Sequence, residues 1–286
     1  MYHSDVFQRI REKTSEMSKA QQKIARYLIQ HPDTSPFLTA AKLAKKAEVG
    51  EATVVRFANF LGYRGYPELQ SHLQEAIKRQ LSTVERLEQY LDEYDGEEKI
   101  VYEVLNNDIE NLQNTIQQLD PSQFREAVKA IVEAKNIYII AYRSAVALGT
   151  FMEFYLDLIL QNTELVRQAD GISEHLLGIT DRDLVIGIGF ARYTKRTVEV
   201  MKYSKEKGAK TMAITDNLMS PLIPHSDIVL TASSHITSII DSFSAPLSII
   251  NGLITAVTQK EQSKVKKRLK ELEDLWGTFD VFYKAK

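Results

Sequence analysis

The strongest constraint on the fold of this chain is a change of hydrophobic pattern at Pro121. Beyond it, short apolar runs rich in β-branched residues alternate with amphipathic segments of helical length. The predicted strands are 137–141, 184–188, 211–214 and 228–230, and the predicted helices are 124–134, 145–160, 195–207 and 243–258. Uniformly apolar short strands separated by helices predict an open α/β sandwich with a parallel sheet. Because such sheets bind ligands beyond the carboxyl ends of their strands, function should lie in the loops there.

Residues 1–77 carry a different pattern, in which apolar residues recur at helical spacing and β-branched runs are absent. Ser18 and Thr39 can cap helices, and Gly62 can end one. Pro67 suits the first turn of a further helix. The pattern predicts a compact all-α domain of four or five short helices.

The sequence therefore predicts three parts: an all-α domain over 1–77, a charged linker over 78–98, and an α/β domain over 99–286 that ends in a charged helix. Just beyond the linker, apolar residues keep to one stripe of a helix. They are Ile100, Val101, Val104, Leu105, Ile109, Leu112, Ile116 and Leu119. The apolar stripe of that helix must pack against another apolar surface.

Composition excludes several classes of protein. The chain has no cysteine, which removes disulfides, thiolate nucleophiles and Cys-ligated metals. We find no apolar run of about 18 residues and no secretory leader, so we expect a cytoplasmic protein with no membrane partner. The net charge of −2 hides an asymmetry: residues 1–77 hold 11 Lys and Arg against 8 Asp and Glu (+3), and residues 78–286 hold 25 against 30 (−5).

The segment from Leu38 to Leu69 has the pattern of a helix-turn-helix. Small Ala44 lets two helices cross closely, Val49 fills the core under the turn, and Gly50 tolerates a backbone conformation that larger residues resist. The apolar residues of the second helix include its buried stripe; they are Val54, Val55, Phe57, Ala58 and Leu61.

The second helix of such a motif enters the major groove of DNA. Arg56 can donate to guanine or phosphate, Thr53 can contact phosphate or a thymine methyl, and Asn59 can read adenine. The predicted DNA-contacting residues are Lys45, Lys46, Gly50, Glu51, Ala52, Thr53, Arg56, Asn59 and Arg64. The alternative is an ordinary helical hairpin with a solvated polar face.

The run VGEATVVRFANFLGYRGYPELQ closely resembles the N-terminal domain of the RpiR family of bacterial transcriptional regulators. In that family a V-S-x-A-T-V-x-R-F pattern precedes L-G-[FY]-x-G-[FY]. Gly50 replaces the usual serine, so the hydroxyl that would cap the helix and reach a phosphate is missing, and we expect weaker DNA affinity. The resemblance implies a second domain of the sugar isomerase (SIS) type, which binds phosphosugars and fits the predicted α/β sandwich.

The first loop of that domain, IYIIAYRSAVALG, looks like the family's phosphate-binding strand-loop-helix with larger residues at the glycine positions. Arg143 and Ser144 stand at the start of the helix. Helix dipole, free N–H groups, a hydroxyl and a guanidinium together suit an anion. The alternative is that Ser144 only caps the helix and Arg143 is a surface residue.

The second loop, IGIGFARYTKRTVE, aligns with the SIS pattern I-S-x-S-G-x-T-x-x-T-V-E. Gly189 and Ala191 replace two serines, Arg192 replaces the glycine, and Thr194 keeps the threonine. Tyr193 can stack on a ligand or hydrogen-bond to it. Two arginines near one helix-terminus site still predict an anionic ligand. The alternative is that Arg192 fills the phosphate pocket and pairs with an internal carboxylate.

Later segments also fit the SIS pattern. Asp216 and Ser220–Leu222 are expected to shape a loop, and the alignment places Ser234, His235 and Ser238 near the ligand, with a structural role expected for His235. The helix over 243–258 matches one that commonly packs at a dimer interface in SIS domains. The predicted ligand-binding residues are Arg143, Ser144, Gly189, Arg192, Tyr193, Thr194 and Ser238.

SIS domains occur in isomerases as well as in regulators. Glu153, Glu174 and His175 are available as acid–base groups, but nothing in their spacing singles them out. We find no metal-ligand spacing and no cofactor motif, so we expect no catalytic residues, metal or cofactor.

Our leading hypothesis is a transcriptional regulator, and in this family a repressor of sugar-metabolism genes. It would bind an operator in double-stranded DNA as a homodimer or tetramer and respond to a phosphorylated sugar or similar anion. The alternatives are a sugar-phosphate isomerase whose helical domain serves assembly only, and a regulator that has lost its ligand and answers to a partner protein.

Overall fold

The computed structural model describes residues 6–31, 34–78, 84, 87, 97–167, 177–234 and 240–283. The chain divides into two compact units. The first reaches to Ile100, and the second holds Val101–Ser234 and Asp241–Lys286. Most of the predicted linker over 78–98 lies outside the described residues, so its boundaries stay a prediction. None of the described helices is long and apolar enough to cross a membrane.

The first unit is built from short helices. They are α1 (Val6–Glu12), α2 (Lys19–Gln30), α3 (Ala40–Lys46), α4 (Glu51–Phe60) and α5 (Tyr66–Lys78). Ser18 caps α2 through a reciprocal capping box with Gln21, and the Thr39 hydroxyl accepts from the N–H of Lys42 at the start of α3. Gly62 follows α4 with a left-handed φ of 95°. The predicted caps are confirmed.

All five helices contribute to one apolar core. Ile10, Ile24, Phe57 and Leu73 are fully buried within it, and Leu43 joins them from α3. A unit of this size depends on such burial, since its short helices are not stable alone.

Helix α6 (Glu97–Gln118) leads into the second unit, which starts at Val101 and is organised around a parallel sheet. Its remaining elements are α7 (Pro121–Glu133), β1 (Ile137–Ala141), α8 (Val146–Leu160), β2 (Thr163–Leu165), β3 (Leu184–Gly189), α9 (Lys195–Glu206), β4 (Lys210–Thr215), β5 (Ile228–Thr231), α10 (Ser244–Lys260) and α11 (Gln262–Thr278). Within the described residues the strands lie in the order β2-β1-β3-β4-β5, and every neighbouring pair is parallel. The predicted fold class, an all-α domain joined to an open α/β sandwich, is confirmed.

The four predicted strands are found within a residue of their expected ends, whereas β2 was not predicted. Thr163–Leu165 is only three residues long, and its middle residue Glu164 is exposed. Its ladder with β1 pairs Ile137 with Thr163 and places it at the sheet edge. A short edge strand of this kind lacks the apolar run that identifies a buried strand.

The strand order creates one reversal of direction. From β1 the chain crosses to β2 on one side, and β3 then pairs with β1 on its other side. A crevice opens at such a topological switch point, beyond the carboxyl ends of the two strands concerned. The loops that follow Ala141 and Gly189 therefore border this crevice.

Candidate DNA-binding surface and effector site

The turn between α3 and α4 differs from the expected one in its backbone. Gly50 is the N-cap of α4 with an ordinary extended φ of −80° and ψ of 149°, so the prediction of a special conformation there is wrong. The left-handed residue is Glu48, with φ 54°. Its strain is held by the turn, in which the N–H of Val49 donates to the carbonyl of Ala44 at 2.9 Å.

Gly50 leaves α4 without a side-chain cap. The helix has no capping hydrogen bond at this end. A Cβ built on Gly50 meets nothing nearer than the Thr53 hydroxyl at 3.9 Å, so a serine fits without displacing any atom. The missing hydroxyl is therefore a property of the sequence and is not enforced by packing.

The outward face of α4 presents a mixed polar and apolar surface. Glu51, Ala52, Arg56 and Asn59 are all exposed, as the sequence predicts. Val55 is 40% exposed on the same face, so among the apolar residues of α4 it lies outside the buried stripe. Val55 lies one turn from Ala52 and Asn59, where its methyl groups can meet a thymine methyl. Sequence reasoning missed it because two adjacent valines do not reveal which of them faces inward.

The remaining predicted DNA contacts surround this face. Lys45 and Lys46 are exposed in the last turn of α3, and Arg64 is exposed just beyond α4. Thr53 is half-buried and its hydroxyl accepts from Arg56 at 3.4 Å. Their roles on DNA stay predictions.

Side chains outside α3 and α4 hold the helix-turn-helix in place. Arg9 donates to the carbonyl of Leu61 at 3.0 Å, and Lys13 donates to the carbonyl of Phe60 at 3.2 Å. Both cations lie at the C-terminal end of α4, where the helix dipole favours positive charge. The hydroxyl of buried Tyr66 donates to the carbonyl of Leu38 at 2.6 Å, just before α3. Burial raises the pKa of Tyr66 to about 12, so it stays a donor at physiological pH.

In the second unit, the two predicted arginines share an unusual backbone. Arg143 follows β1 with φ 57°, and Arg192 follows β3 with φ 62°. Both values are left-handed, a region that costs an L-residue about 1–2 kcal/mol. Both loops border the switch-point crevice, and both arginines are exposed. Strained residues of this kind cluster at ligand sites.

The helices behind these loops present uncapped N-termini. Residues Arg143–Ala145 form a 3-10 turn, and the N-cap of α8 is Ala145, so the alternative of Ser144 as the cap is wrong. Thr194 is the N-cap of α9, but its hydroxyl makes no capping hydrogen bond. Neither helix has an acidic residue in its first turn. Helix N-termini with neither a side-chain cap nor an acidic residue in the first turn favour an anion.

One cation in this region was not predicted. Arg196 lies in the first turn of α9, where it works against the helix dipole. Its charge acts on the hydroxyl of Tyr142, at the end of β1: burial raises the pKa of Tyr142, and Arg196 partly lowers it. Arg196 therefore lies close to both loops. The signal in the sequence was a cation pair, Lys195 and Arg196, directly after Thr194.

Tyr193 is engaged inside the protein. Its hydroxyl donates to the carboxylate of buried Asp216 and accepts from Asn217 at 3.3 Å. The Thr215 hydroxyl also donates to Asp216, at 3.2 Å. Asp216 thus ties the loop after β3 to the end of β4. A direct contact of Tyr193 with a ligand stays a prediction.

Gly189 is buried at the end of β3. A Cβ built on it comes within 3.1 Å of Leu222 and 3.8 Å of Tyr193. Leu222, itself fully buried, lies against the place where the family pattern has a serine side chain. A larger residue there would push on Leu222, and contact of Gly189 with a ligand stays a prediction.

Other candidates are placed as follows. Ser144 donates to the carboxylate of Asp241 at 3.5 Å, which brings an acidic group to the first loop. Glu153, weighed as an acid–base group, accepts from the N–H of Leu165 at 2.8 Å and pairs with Arg167, so it fixes β2. Ser238, His235, Glu174 and His175 lie outside the described residues.

The chain combines a helix-turn-helix unit with an α/β unit that carries cationic loops at its switch point. This combination defines a class of DNA-binding protein with a SIS-type domain. Two family models match the chain in tandem. The helix-turn-helix domain of the rpiR family matches residues 4–80, and the SIS domain matches residues 130–256. The chain belongs to the RpiR family of helix-turn-helix transcriptional regulators with a SIS domain.

Curated relatives match along almost the whole length. An uncharacterized HTH-type transcriptional regulator of Caldanaerobacter subterraneus is 26% identical over 287 residues, with 95% of this chain and 97% of the relative covered. The HTH-type transcriptional regulator HexR of Pseudomonas aeruginosa is 27% identical over 278 residues, covering 94% and 95%.

Solved structures show the same fold. The sugar isomerase domain of an RpiR transcription factor from Sphaerobacter thermophilus has a TM-score of 0.60 at 26% identity and covers 62% of this chain and 99% of that one. The NanR protein of Vibrio vulnificus, complexed with ManNAc-6P, has a TM-score of 0.60 at 17% identity and covers 96% and 98%.

Proposed function

We propose that this regulator represses sugar-metabolism genes in the cytoplasm and that a phosphorylated sugar, bound at the switch point of its SIS domain, changes its affinity for the operator. The observation that carries the proposal is the pair Arg143 and Arg192, both held in left-handed backbone at the two loops of the crevice. A fold retains such strain where the side chain is needed.

The charges around the crevice suit a phosphate. Arg143, Arg192 and Arg196 are exposed cations near two uncapped helix N-termini. Guanidinium groups bind phosphate oxygens in a bidentate manner, and helix N–H groups add donors. The two serines of the family pattern are replaced here, so in this chain arginines take over the anion-binding task.

A phosphate alone does not account for the whole crevice. Asp241 accepts from Ser144 at its edge and repels a second anionic group. A carboxylate is a good acceptor for hydroxyl groups, and sugars carry several. Cations on one side and an acceptor on the other therefore favour a phosphorylated polyol over inorganic phosphate. NanR, whose fold is similar, is complexed with such a compound, ManNAc-6P.

On the DNA side, we assign base reading to the exposed face of α4. Arg56 donates to guanine or phosphate, Asn59 reads adenine, and Val55 and Ala52 contact thymine methyl groups. The exposed cations Lys45, Lys46 and Arg64 contact phosphates and make the affinity dependent on salt. Because one unit offers few cations, affinity requires two copies on a near-palindromic operator.

Effector binding and operator binding are coupled through the free energies of the two binding equilibria. The effector changes operator affinity only by its different affinities for the DNA-competent and DNA-incompetent forms of the homodimer or tetramer. The same coupling makes DNA change the effector affinity by an equal factor.

The DNA assignment is tested by Arg56→Ala on an operator selected from random duplexes. We expect operator affinity to fall by about 1–3 kcal/mol and sequence preference to relax at one base pair. Lys46→Ala is the matched control: it should weaken binding equally on all sequences and reduce the salt dependence. Unchanged affinity of the Arg56 variant would show that α4 does not read bases.

The effector assignment is tested by Arg143→Ala combined with Arg192→Ala. This variant should bind the operator as the wild type does and lose its response to phosphorylated sugars. The same sugars are also incubated with the protein alone. Interconversion of an aldose phosphate and its ketose would identify an isomerase and contradict a purely regulatory role.

A further inference from the structure

Helix α6 carries the chain from the first unit into the second, and its contacts with the second unit are largely polar. Glu97–Ile100 belong to the first unit and the rest of α6 to the second. The apolar stripe predicted on this helix is mostly exposed; Tyr102 is 69% exposed and Ile116 is 74% exposed. The buried side chains of α6 include Asn111 and Thr115, which are polar. The position of α6 on its unit therefore depends on hydrogen bonds.

The connection between β5 and α10 supplies the partners of these polar side chains. The structure describes its residues 232–234 and 240–243. Ser233 donates through its N–H to the hydroxyl of Thr115, and through its own hydroxyl to the side-chain oxygen of Asn111, each at 2.8 Å. These two bonds tie the start of the connection to α6.

Asp108 ties the end of the connection to α6. Its carboxylate accepts from the hydroxyl of Ser242 at 2.5 Å and from that of Ser244, the first residue of α10, at 2.6 Å. Hydrogen bonds to an ionised acceptor are stronger than neutral ones, so Asp108 makes the strongest of these ties. The hydroxyl of Ser234 donates to the carbonyl of Ser242 at 2.8 Å and joins the two ends of the connection to each other.

The same connection reaches the effector crevice. Asp241, which directly precedes Ser242, accepts from the hydroxyl of Ser144 at 3.5 Å. Ser144 follows Arg143 in the first arginine loop. A path of hydrogen bonds and one step along the backbone thus links the crevice to Asp108 on α6.

We propose that Asp108 is the positioning residue through which the effector controls α6, the helix that continues into the DNA-binding unit. This inference rests on the proposed effector site. A sugar hydroxyl that donates to Asp241 takes the place of Ser144, whose hydroxyl turns to the phosphate. Asp241 then moves, Ser242 beside it leaves Asp108, and α6 is released from the connection.

A polar contact suits such a switch. A hydrogen bond requires a narrow range of distance and angle, so a small displacement of Ser242 is enough to break it. Asp108 is half-buried, and water can replace the serine hydroxyls as donors, so the two arrangements differ little in free energy. The exchange at Asp108 is therefore a two-state element of the kind that coupling between distant sites requires.

The test measures operator affinity and sugar-phosphate binding separately on the full chain, with glucose 6-phosphate, fructose 6-phosphate and ManNAc-6P as probes. Asp108→Ala removes the tie. Without any probe, its operator affinity should lie within about twofold of the value that wild type shows when saturated with an effective probe. Adding that probe should shift the variant by less than about twofold, against about fivefold or more for wild type.

Calorimetry on the same proteins shows whether the crevice itself is intact. Asp108→Ala should bind the effective probe at least as tightly as wild type does, because the probe no longer has to break the tie. A loss of probe binding in this variant would place Asp108 in the crevice and overturn its role as a positioning residue.

Two controls separate this role from a purely structural one. Glu110→Ala removes an exposed carboxylate from the same helix and should leave the operator affinity and the response unchanged. Asp108→Asn keeps an acceptor for one serine and a donor to the other, so it should restore most of the response. A purely structural residue would lower Tm without moving the free operator affinity to the effector-saturated value.

The serine side of the contact gives a second route to the same result. Ser242→Ala combined with Ser244→Ala removes the same hydrogen bonds and should reproduce the Asp108→Ala result, even if that variant does not fold. Adding Asp108→Ala to this pair should cause no further shift, since the three side chains act as one unit.

The outcomes distinguish this coupling from the proposed function. If wild type responds to a probe, and Asp108→Ala keeps both the wild-type operator affinity and the wild-type response, only the role of Asp108 is overturned. If no sugar phosphate binds wild type or shifts its operator affinity, the proposed function itself fails, and the coupling fails with it.

Discussion

Replacing either strained arginine by glycine should make the second unit more stable and abolish its response to the effector. Arg143 and Arg192 occupy left-handed backbone, with φ 57° and 62°. Glycine adopts this conformation without the clash that a Cβ causes. Arg143→Gly and Arg192→Gly therefore relieve strain at the same time as they remove a guanidinium from the crevice.

The size of the gain follows from two opposing effects. Relief of the left-handed conformation contributes about 1–2 kcal/mol, and the greater freedom of glycine in the unfolded chain takes back about 0.5–1 kcal/mol. The net gain is about 0.5–1 kcal/mol for each site. For a unit of this size, 1 kcal/mol raises Tm by about 2–4 °C, so each variant should gain about 1–4 °C.

Thermal unfolding and operator binding with and without effector measure the two effects. Gln161→Gly is the matched control, because Gln161 also has a left-handed φ, 60°, at the exposed end of α8 and away from the loops. It should raise Tm by a similar amount and leave the effector response intact. Arg192→Ala should lose the response with no gain in Tm, since alanine keeps the strain.

Two outcomes would refute this reasoning. If Arg143→Gly and Arg192→Gly lower Tm while Gln161→Gly raises it, the arginines are structural and not strained for function. If both arginine variants respond to the effector as the wild type does, the crevice is not the effector site.

Three further predictions follow from the structure. Gly50→Ser should stabilise the first unit by a few tenths of a kcal/mol through a new helix cap. It should also tighten operator binding about threefold to tenfold through a new phosphate contact, whereas Gly50→Ala should not. Filter binding on both variants measures the operator affinities. Burial raises the pKa of Asp183, but hydrogen bonds from Thr180 and Asn136 outweigh it and hold the pKa below its usual value. Asp183 therefore contributes stability that is present above the unfolded pKa of about 3.9 and is lost as pH falls through the lower folded pKa. Asp183→Asn should remove that part of the acid dependence of stability, measured by denaturant melts at a series of pH values. Tyr193→Phe should cost about 1–3 kcal/mol in unfolding of the second unit, because it deprives a buried carboxylate of a donor, and operator binding without effector should be unchanged; an unaltered Tm would show that this hydrogen bond is not needed.

Much of the fold was predictable because local pattern and tertiary structure agree in this chain. The strands at 137–141 and 184–189 are uniformly apolar, and buried parallel strands have that composition. Ser18, Thr39 and Gly62 act where their chemistry predicts. These signals are read within a few residues, so no knowledge of distant contacts is needed.

The parts that escaped prediction depend on contacts between distant residues or on strain. Asp108 finds its serine partners 134 and 136 residues away, and nothing near it in sequence points to them. Left-handed Glu48 and Arg192 are disfavoured by any local propensity, so only the surrounding structure imposes them. Val55 is exposed because its neighbour Val54 takes the inward position, which a helical pattern settles only once the partner helices are placed.

The central claim is that a phosphorylated sugar at the arginine loops controls DNA binding. It is tested most directly by fluorescence anisotropy of the selected operator with wild type and with the Arg143→Ala, Arg192→Ala variant, titrated against a panel of sugar phosphates. We predict that at least one sugar phosphate shifts the operator affinity of the wild type by about fivefold or more, the usual range of allosteric coupling. The variant should bind the operator equally well without effector and show no shift. A panel that moves neither protein, or moves both equally, would contradict the account.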